Sequence, residues 1–190
     1  GSQLLALITD AKRGEMVVDF CAGAGGKTLA LGAAMRNTGR LYAFDVAGHR
    51  LEALKPRLAR SGLSNVYPVQ IAHERDDRVR RLAGKIDRVL VDAPCSGTGT
   101  LRRNPDIKWR AIDVQKLVAV QRAILASAST LLKPGGRLVY ATCSLLREEN
   151  EDVIAGFLAT HPDFAIVPAA EVFARRHVAL LPDSEFLRLL

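Results

Sequence analysis

The sequence predicts an α/β protein built on a doubly wound, mostly parallel sheet of the Rossmann-like type, on three observations. Short β-rich runs alternate with helical patterns along the chain. One run, Ile86–Asp92, has the near-continuous apolar content of a strand buried on both faces. The segments able to carry chemistry (Asp19–Gly26, Asp45, Asp92–Gly97 and Thr142–Ser144) all fall at predicted strand ends. In such sheets ligands bind beyond the carboxyl ends of the strands, where the strand order reverses.

Each element follows from its local pattern. Met16–Phe20 is apolar and stops at a glycine-rich stretch, which makes it the first strand. Lys27–Arg36 follows as a helix, Arg40–Asp45 as the second strand, 48–60 as a helix, Val66–Ile71 as the third strand and Ile86–Asp92 as the fourth. The longest helix is expected between about 111 and 132, where Leu117, Ile124, Leu125, Ala128, Leu131 and Leu132 recur at helical spacing on one face. Lys133-Pro-Gly-Gly136 stops that helix and opens a turn. Arg137–Thr142 is the fifth strand, 148–160 a helix and Phe164–Val167 a short sixth strand. No repeat, low-complexity tract or linker divides the chain, so residues 1–190 read as a single domain.

Composition narrows the function classes. An apolar fraction of 48% is that of a folded chain, and a net charge of +7 favours a polyanionic partner such as nucleic acid. No run approaches the ~18 apolar residues of a membrane span, and the start of the chain lacks a signal pattern. Three cysteines, Cys21, Cys95 and Cys143, are too few and too odd in number for a disulfide framework. They read as free thiols in a reducing compartment, the cytoplasm.

The loop Asp19-Phe-Cys-Ala-Gly-Ala-Gly-Gly-Lys-Thr28 joins the first strand to a helix whose N-terminus offers free N–H groups. A phosphate-binding loop would need glycine at 21, where Cys stands, and a dinucleotide fingerprint would need one at 28, where Thr stands. Both fail. An acid at the second strand end, Asp45, suits the ribose hydroxyls of an adenosine cofactor, and S-adenosylmethionine fits better than a dinucleotide because no pyrophosphate has to be cradled. The glycines would also serve a plain tight turn, with Asp45 capping the next helix.

Two further strand ends carry cysteines. Asp92-Ala-Pro-Cys-Ser-Gly-Thr-Gly-Thr-Leu-Arg-Arg-Asn-Pro-Asp-Ile-Lys-Trp109 runs from a buried strand into a glycine-rich loop and a basic segment, and Ala141-Thr-Cys-Ser144 ends the next strand. If those strands are neighbours, Cys95 and Cys143 face one crevice, with strand ends roughly 5 Å apart. Zinc would need four ligands and no His or third Cys is near in sequence, so no metal is expected. No Cys-x-x-Cys motif marks a redox pair. A helix start beyond Cys143 and the cation Arg147 would favour a thiolate there, and two buried structural cysteines are the bland alternative. Arg102, Arg103, Lys108 and Arg110 could contact phosphates with Trp109 stacking on a base, or the loop could be solvated with Trp109 anchoring it to the core.

These residues resemble a known family. The Asp92–Trp109 stretch, Thr142-Cys-Ser144 with Glu149-Asn-Glu151 downstream, and Cys21-Ala-Gly-Ala-Gly-Gly-Lys27 are similar to the RNA 5-methylcytosine methyltransferases of the Sun (Fmu) type, best to the bacterial 16S ribosomal RNA enzymes, over essentially all 190 residues. The resemblance implies a class I S-adenosylmethionine-dependent methyltransferase core with Cys21, Ala22, Gly23, Ala24, Gly25, Gly26 and Lys27 at the cofactor and Asp45 at its ribose. It implies that Asp92 lies beside the methionine part and the target base, that Cys143 is the nucleophile, and that Cys95 assists enzyme release. His73 stands in the adenine position, where the family usually has Asp, and Arg147 stands where Pro is common. The expected partner is RNA, most naturally ribosomal, and the expected state a monomer.

The chemistry suits that reading: a thiolate adding to carbon 6 of cytosine makes carbon 5 nucleophilic enough to take a methyl group. Rival readings are a methyltransferase on DNA cytosine, in which Cys95 would be the nucleophile, one on tRNA, and a non-catalytic RNA-binding module. The resemblance also implies a core excised from a longer protein. Six strands are counted where such enzymes finish with a seventh, antiparallel one; no N-terminal RNA-binding region is present, and the chain stops on the apolar Glu185-Phe-Leu-Arg-Leu-Leu190.

Overall fold

Short apolar strands joined by helices can return only to the same sheet direction, which produces parallel pairing with right-handed crossovers. The computed structural model describes residues 1–178 and 186–187. Its elements in chain order are α1 (Ser2–Thr9), β1 (Met16–Asp19), α2 (Gly26–Ala34), β2 (Arg40–Asp45), α3 (Gly48–Ser61), β3 (Val66–Gln70), α4 (Asp77–Arg80), β4 (Ile86–Asp92), α5 (Val114–Ser129), β5 (Leu132–Ala141), α6 (Glu151–Thr160) and α7 (Ala169–Arg175). All strand pairs are parallel, in the order β3-β2-β1-β4-β5. The order reverses between β1 and β4, so the crevice opens at the carboxyl ends of these two central strands.

Successive residues of β1 and β4 face opposite layers. Val18, Val89 and Val91 pack with Phe20, Phe44, Ala128 and Leu131 on one side of the sheet, while Val17, Leu41 and Leu90 pack with Ala6, Leu31 and Met35 on the other. Pro68 lies in β3, at the edge of the sheet, where a missing N–H is tolerated. At the edge opposite the crevice, Asp10 holds Arg176 at 2.8 Å and lies 3.7 Å from Arg88 and 3.6 Å from Arg137, tying α1, β4, β5 and the end of α7 together.

The five long strands form where the sequence places them. The sixth does not: residues 164–167 are irregular. Phe164 N–H donates to His161 O in a turn, and its ring meets Phe157 edge-on at 5.2 Å, so Phe164 packs against α6 while Ile166 and Val167 stay exposed and the sheet is not extended. The sheet therefore has five strands among the described residues, and most of the apolar tail Glu185–Leu190 lies outside them. Lys133–Gly136 is not a free turn but a bulge in β5, since pairing passes from Ile86 opposite Leu132 directly to Arg88 opposite Arg137. Helices α1, α4 and α7 have no counterpart in the sequence reading. The 111–132 helix is shorter at both ends, starting where the Asp113 side chain caps Lys116 N–H at 3.0 Å.

Gly25, which precedes α2, has φ of +85°, and a Cβ there would lie 2.0 Å from Leu54 Cδ1. Gly25→Ala is expected to lower stability by about 2 kcal/mol through left-handed strain and overpacking against the buried Leu54. Gly26→Ala, with open space around its Cβ and a helical position, is the matched control and should leave the unfolding midpoint nearly unchanged. Equal midpoints for the two variants would show that the loop is not held in this conformation.

Candidate active site

β1 delivers Asp19 to the crevice fully buried. Thr28 Oγ1, one turn into α2, donates to Asp19 Oδ2 at 2.7 Å, and Oδ1 has no partner. Burial raises the Asp19 carboxyl to about 7, against the lowering pull of the Thr28 hydrogen bond and with a further push from the Asp92 charge. The glycine loop then folds over the end of β2. Gly23 N–H donates to Asp45 Oδ2 at 2.8 Å and Ala47 N–H to Oδ1 at 2.7 Å, so Asp45 anchors the loop as well as closing its strand. The main chain of the loop is held from α3 too, by Arg57 Nη1 donating to Ala24 O at 3.1 Å. The Cys21 thiol is pushed up by burial and stays protonated.

Lys27 reaches across from the start of α2 to Asp92 at the end of β4, Nζ to Oδ2 2.5 Å. The sequence reading had both residues but not their pairing, which becomes legible only once β1 and β4 are known to be neighbours. Lys27, Asp92, Thr142, Cys143 and Asn150 line one groove. Asp45, residues 21–26 and His73 do not line it; His73 sits in the exposed turn after β3, where its Nδ1 accepts Arg75 N–H at 3.1 Å. Beside it Asp76 caps α4 by accepting Ala72 and Arg78 N–H groups, which hold its carboxyl below the usual range.

β4 and β5 are neighbours, with Asp92 opposite Ala141, and their cysteine loops meet. Cys95 Sγ lies 3.3 Å from Cys143 Sγ and accepts Cys143 N–H at 3.3 Å. Gly99 N–H donates to Cys143 O at 2.9 Å, a crossing so close that a Cβ on Gly99 would stand 2.9 Å from that oxygen. Leu145 N–H donates to Thr98 Oγ1 at 2.8 Å.

Cys143 is the more exposed of the two thiols. The hydrogen bond from Cys95 lowers it to about 7, with a smaller contribution from Lys27 and opposition from burial and Asp92. Cys95 moves the other way, because releasing its proton would lose that bond and place two negative sulfurs in contact. The source of the thiolate is therefore not the one expected. Arg147 is exposed and paired with Asp152 at 3.0 Å, and α6 begins only at Glu151 with acids in its first turn.

Trp109, at the end of a 3₁₀ turn over Pro105–Trp109, is 88% exposed, so it does not anchor its loop to the core. Arg102, Arg103, Lys108 and Arg110 are exposed around it. No group of acidic, His and Cys side chains among the described residues could hold a metal ion.

The family described as 16S rRNA methyltransferase RsmB/F matches residues 6–184. The chain belongs to that family. Ribosomal RNA small subunit methyltransferase B of Sodalis glossinidius (strain morsitans) is 43% identical over 164 residues, covering 85% of this chain and 37% of the relative. Ribosomal RNA small subunit methyltransferase F of Escherichia coli O9:H4 (strain HS) is 38% identical over 184 residues, covering 94% and 38%. The chain thus spans under two fifths of the length of these RsmB/F relatives. Among solved structures, a methyltransferase homolog protein from Pyrococcus horikoshii superposes with a TM-score of 0.71 at 40% identity, covering 83% of this chain and 49% of that one. NSun6 from Pyrococcus horikoshii with SFG superposes with a TM-score of 0.75 at 30% identity, covering 84% and 40%.

A thiol that ionises near 7 reacts faster as pH rises through that value, because the thiolate is the nucleophile. Alkylation of Cys143 by iodoacetamide, followed by peptide mass spectrometry, should rise with a midpoint near pH 7 and outpace Cys95 and Cys21 throughout. Faster labelling of Cys95 than of Cys143 would invert the assignment.

Proposed function

We propose that this chain is the catalytic core of an enzyme that transfers a methyl group from S-adenosylmethionine to carbon 5 of cytosine in ribosomal RNA, through a covalent adduct on Cys143. The observation that carries this reading is the contact of two thiols at the β4 and β5 ends, one lowered and exposed, the other holding its proton, beside a glycine loop and the Lys27–Asp92 pair. The family description and the names of the relatives support ribosomal RNA as substrate. SFG, present with the NSun6 protein, is an S-adenosylmethionine analogue, which supports the cofactor. The basic segment around Trp109 supports an RNA partner, with cations for phosphates and an exposed ring for stacking. The cytoplasm, where such thiols stay reduced, is the compartment this implies, and no helix among the described residues is long and apolar enough to cross a membrane.

The residues present fit the cofactor. The acids Asp45 and Asp92, with the buried, partly unpartnered Asp19 carboxyl behind them, suit a cationic ligand, and Gly23 and Gly26 leave open space beside the loop. Bound there, S-adenosylmethionine supplies an electrophilic methyl group on sulfur. Asp45 would accept from the ribose hydroxyls while it keeps Gly23 and Ala47 in place, and Asp92 would orient the methionine part and the base edge. His73 lies at the adenine position only by the resemblance.

Cys143 adds as thiolate to carbon 6 of the flipped-out cytosine, forming an S–C bond and moving the ring electrons toward carbon 5. With the methyl group on carbon 5 and S-adenosylhomocysteine left behind, loss of the carbon 5 proton to solvent re-forms the 5,6 double bond as the C6–S bond breaks and Cys143 leaves as thiolate. Cys95 can return its hydrogen bond to that thiolate as it leaves, which is a physical basis for assisted release.

Asp45→Ala should weaken S-adenosylmethionine or S-adenosylhomocysteine binding by about 1–3 kcal/mol, the value of a charge-assisted hydrogen bond, in calorimetry. Equal affinity would remove Asp45 from the site. RNA bearing 5-fluorocytosine should trap the chain covalently, since fluorine cannot leave as the proton does. Cys143→Ala should abolish the trapped band and Cys95→Ala should keep it; the reverse pattern would make Cys95 the nucleophile and overturn the mechanism.

A further inference from the structure

Glu149 is fully buried, which is costly for a carboxylate unless its oxygens are met by donors. They are. Oε1 accepts Ser96 N–H at 2.9 Å and Gln121 Nε2–H at 3.0 Å, and Oε2 accepts the Ser96 hydroxyl at 2.5 Å. Gln121 Nε2 also donates to Pro94 O at 2.9 Å, so both neighbours of Cys95 are tied to this one group. The donors hold Glu149 below the usual carboxylate range despite burial, and it stays charged at neutral pH.

The next residue does the same for the other cysteine. Asn150 Oδ1 accepts the Thr142 hydroxyl at 2.7 Å, and its Nδ2 donates to Ser144 O at 3.1 Å and Leu146 O at 2.7 Å. The two clamps join where Ser96 Oγ meets Ser144 Oγ at 3.1 Å, and Tyr140 OH, on β5, donates to Glu149 O at 2.7 Å.

We propose that Glu149, seconded by Asn150, is the positioning residue of the thiol pair: it fixes the Cys95 loop against the Cys143 loop at the 3.3 Å sulfur contact, where the Cys95 S–H can hydrogen-bond to the Cys143 thiolate. Neither side chain touches the reacting atoms. The inference rests on the reading of Cys143 as nucleophile, but the contact is measurable without RNA.

Glu149→Gln keeps the shape and places an amide N–H₂ among groups that all donate. The test is thiolate absorbance against pH in the cofactor-bound chain, with Cys143→Ala identifying the transition; Cys21, pushed up by burial, does not titrate in this range. In Glu149→Gln the midpoint should move from about 7 toward the ~8.5 of an ordinary thiol. At pH 7, kcat for methyl transfer should fall about five- to fifteenfold, the loss of thiolate when a midpoint at 7 moves up by about 1 to 1.5 units, and should recover as pH is raised, with KM for RNA and cofactor affinity within about twofold of wild type. A purely structural role would lower kcat at every pH and leave the midpoint in place.

If Glu149→Gln does not bind cofactor or unfold cooperatively, Ser96→Ala removes one donor alone and should shift the midpoint less, in the same direction. An unmoved midpoint in the folded variant overturns the proposal. A moved midpoint in a chain that shows no methyl transfer would leave the positioning role intact and refute the proposed function.

Discussion

Two sulfur atoms in contact cannot both be anions, and the arrangement of this molecule follows from which of them keeps the proton. At 3.3 Å the Cys95 S–H can donate to Cys143, which favours a thiolate there near neutral pH. That contact needs β4 and β5 side by side, the bulge that brings Asp92 opposite Ala141, and a glycine at 99 where the loops cross. Each of these is a backbone requirement, and none adds a charge. The two also differ in exposure: Cys143 is exposed and lines the groove, whereas Cys95 is half-buried.

The charges around the pair are balanced so that this small preference survives. Asp92 alone would push Cys143 up, and Lys27 alone would pull it down. Bound to each other at 2.5 Å they oppose one another at the sulfur, Asp92 the more strongly, and both line the groove. Asp19 stands behind them as a buried acid raised to about 7 with one oxygen unpartnered, a local cost in stability of the kind that binding sites carry. The glycine loop is held by Asp45 and Arg57 rather than by its own side chains, so its N–H groups stay free of bulk.

Much of this was legible in the sequence because it rests on short-range patterning. Strand runs ending in Asp19, Asp45, Asp92 and Thr142 placed the chemistry at one sheet edge, and the five-stranded order made the conditional meeting of Cys95 and Cys143 real. What was missed depends on long-range contacts. The activation of Cys143 was assigned to a helix end and Arg147, whereas Arg147 turned outward to Asp152 and the partner thiol came from a loop distant in sequence. Glu149 carried a signal in the motif downstream of Cys143, but a Glu beside another Glu in a polar run reads as surface, and only the fold shows it buried. The Phe164–Val167 run had strand composition, yet nearby rings on α6 competed successfully for Phe164. Trp109 had two readings of equal weight until its exposure excluded the core one.

In the proposed mechanism a thiolate at Cys143 enables methyl transfer to carbon 5 of cytosine. Its most direct measurement is nucleoside mass spectrometry of ribosomal RNA incubated with the protein and isotopically labelled S-adenosylmethionine. Label is expected in 5-methylcytidine and should be lost in Cys143→Ala. Label in any other nucleoside, or on another atom of cytidine, would contradict it.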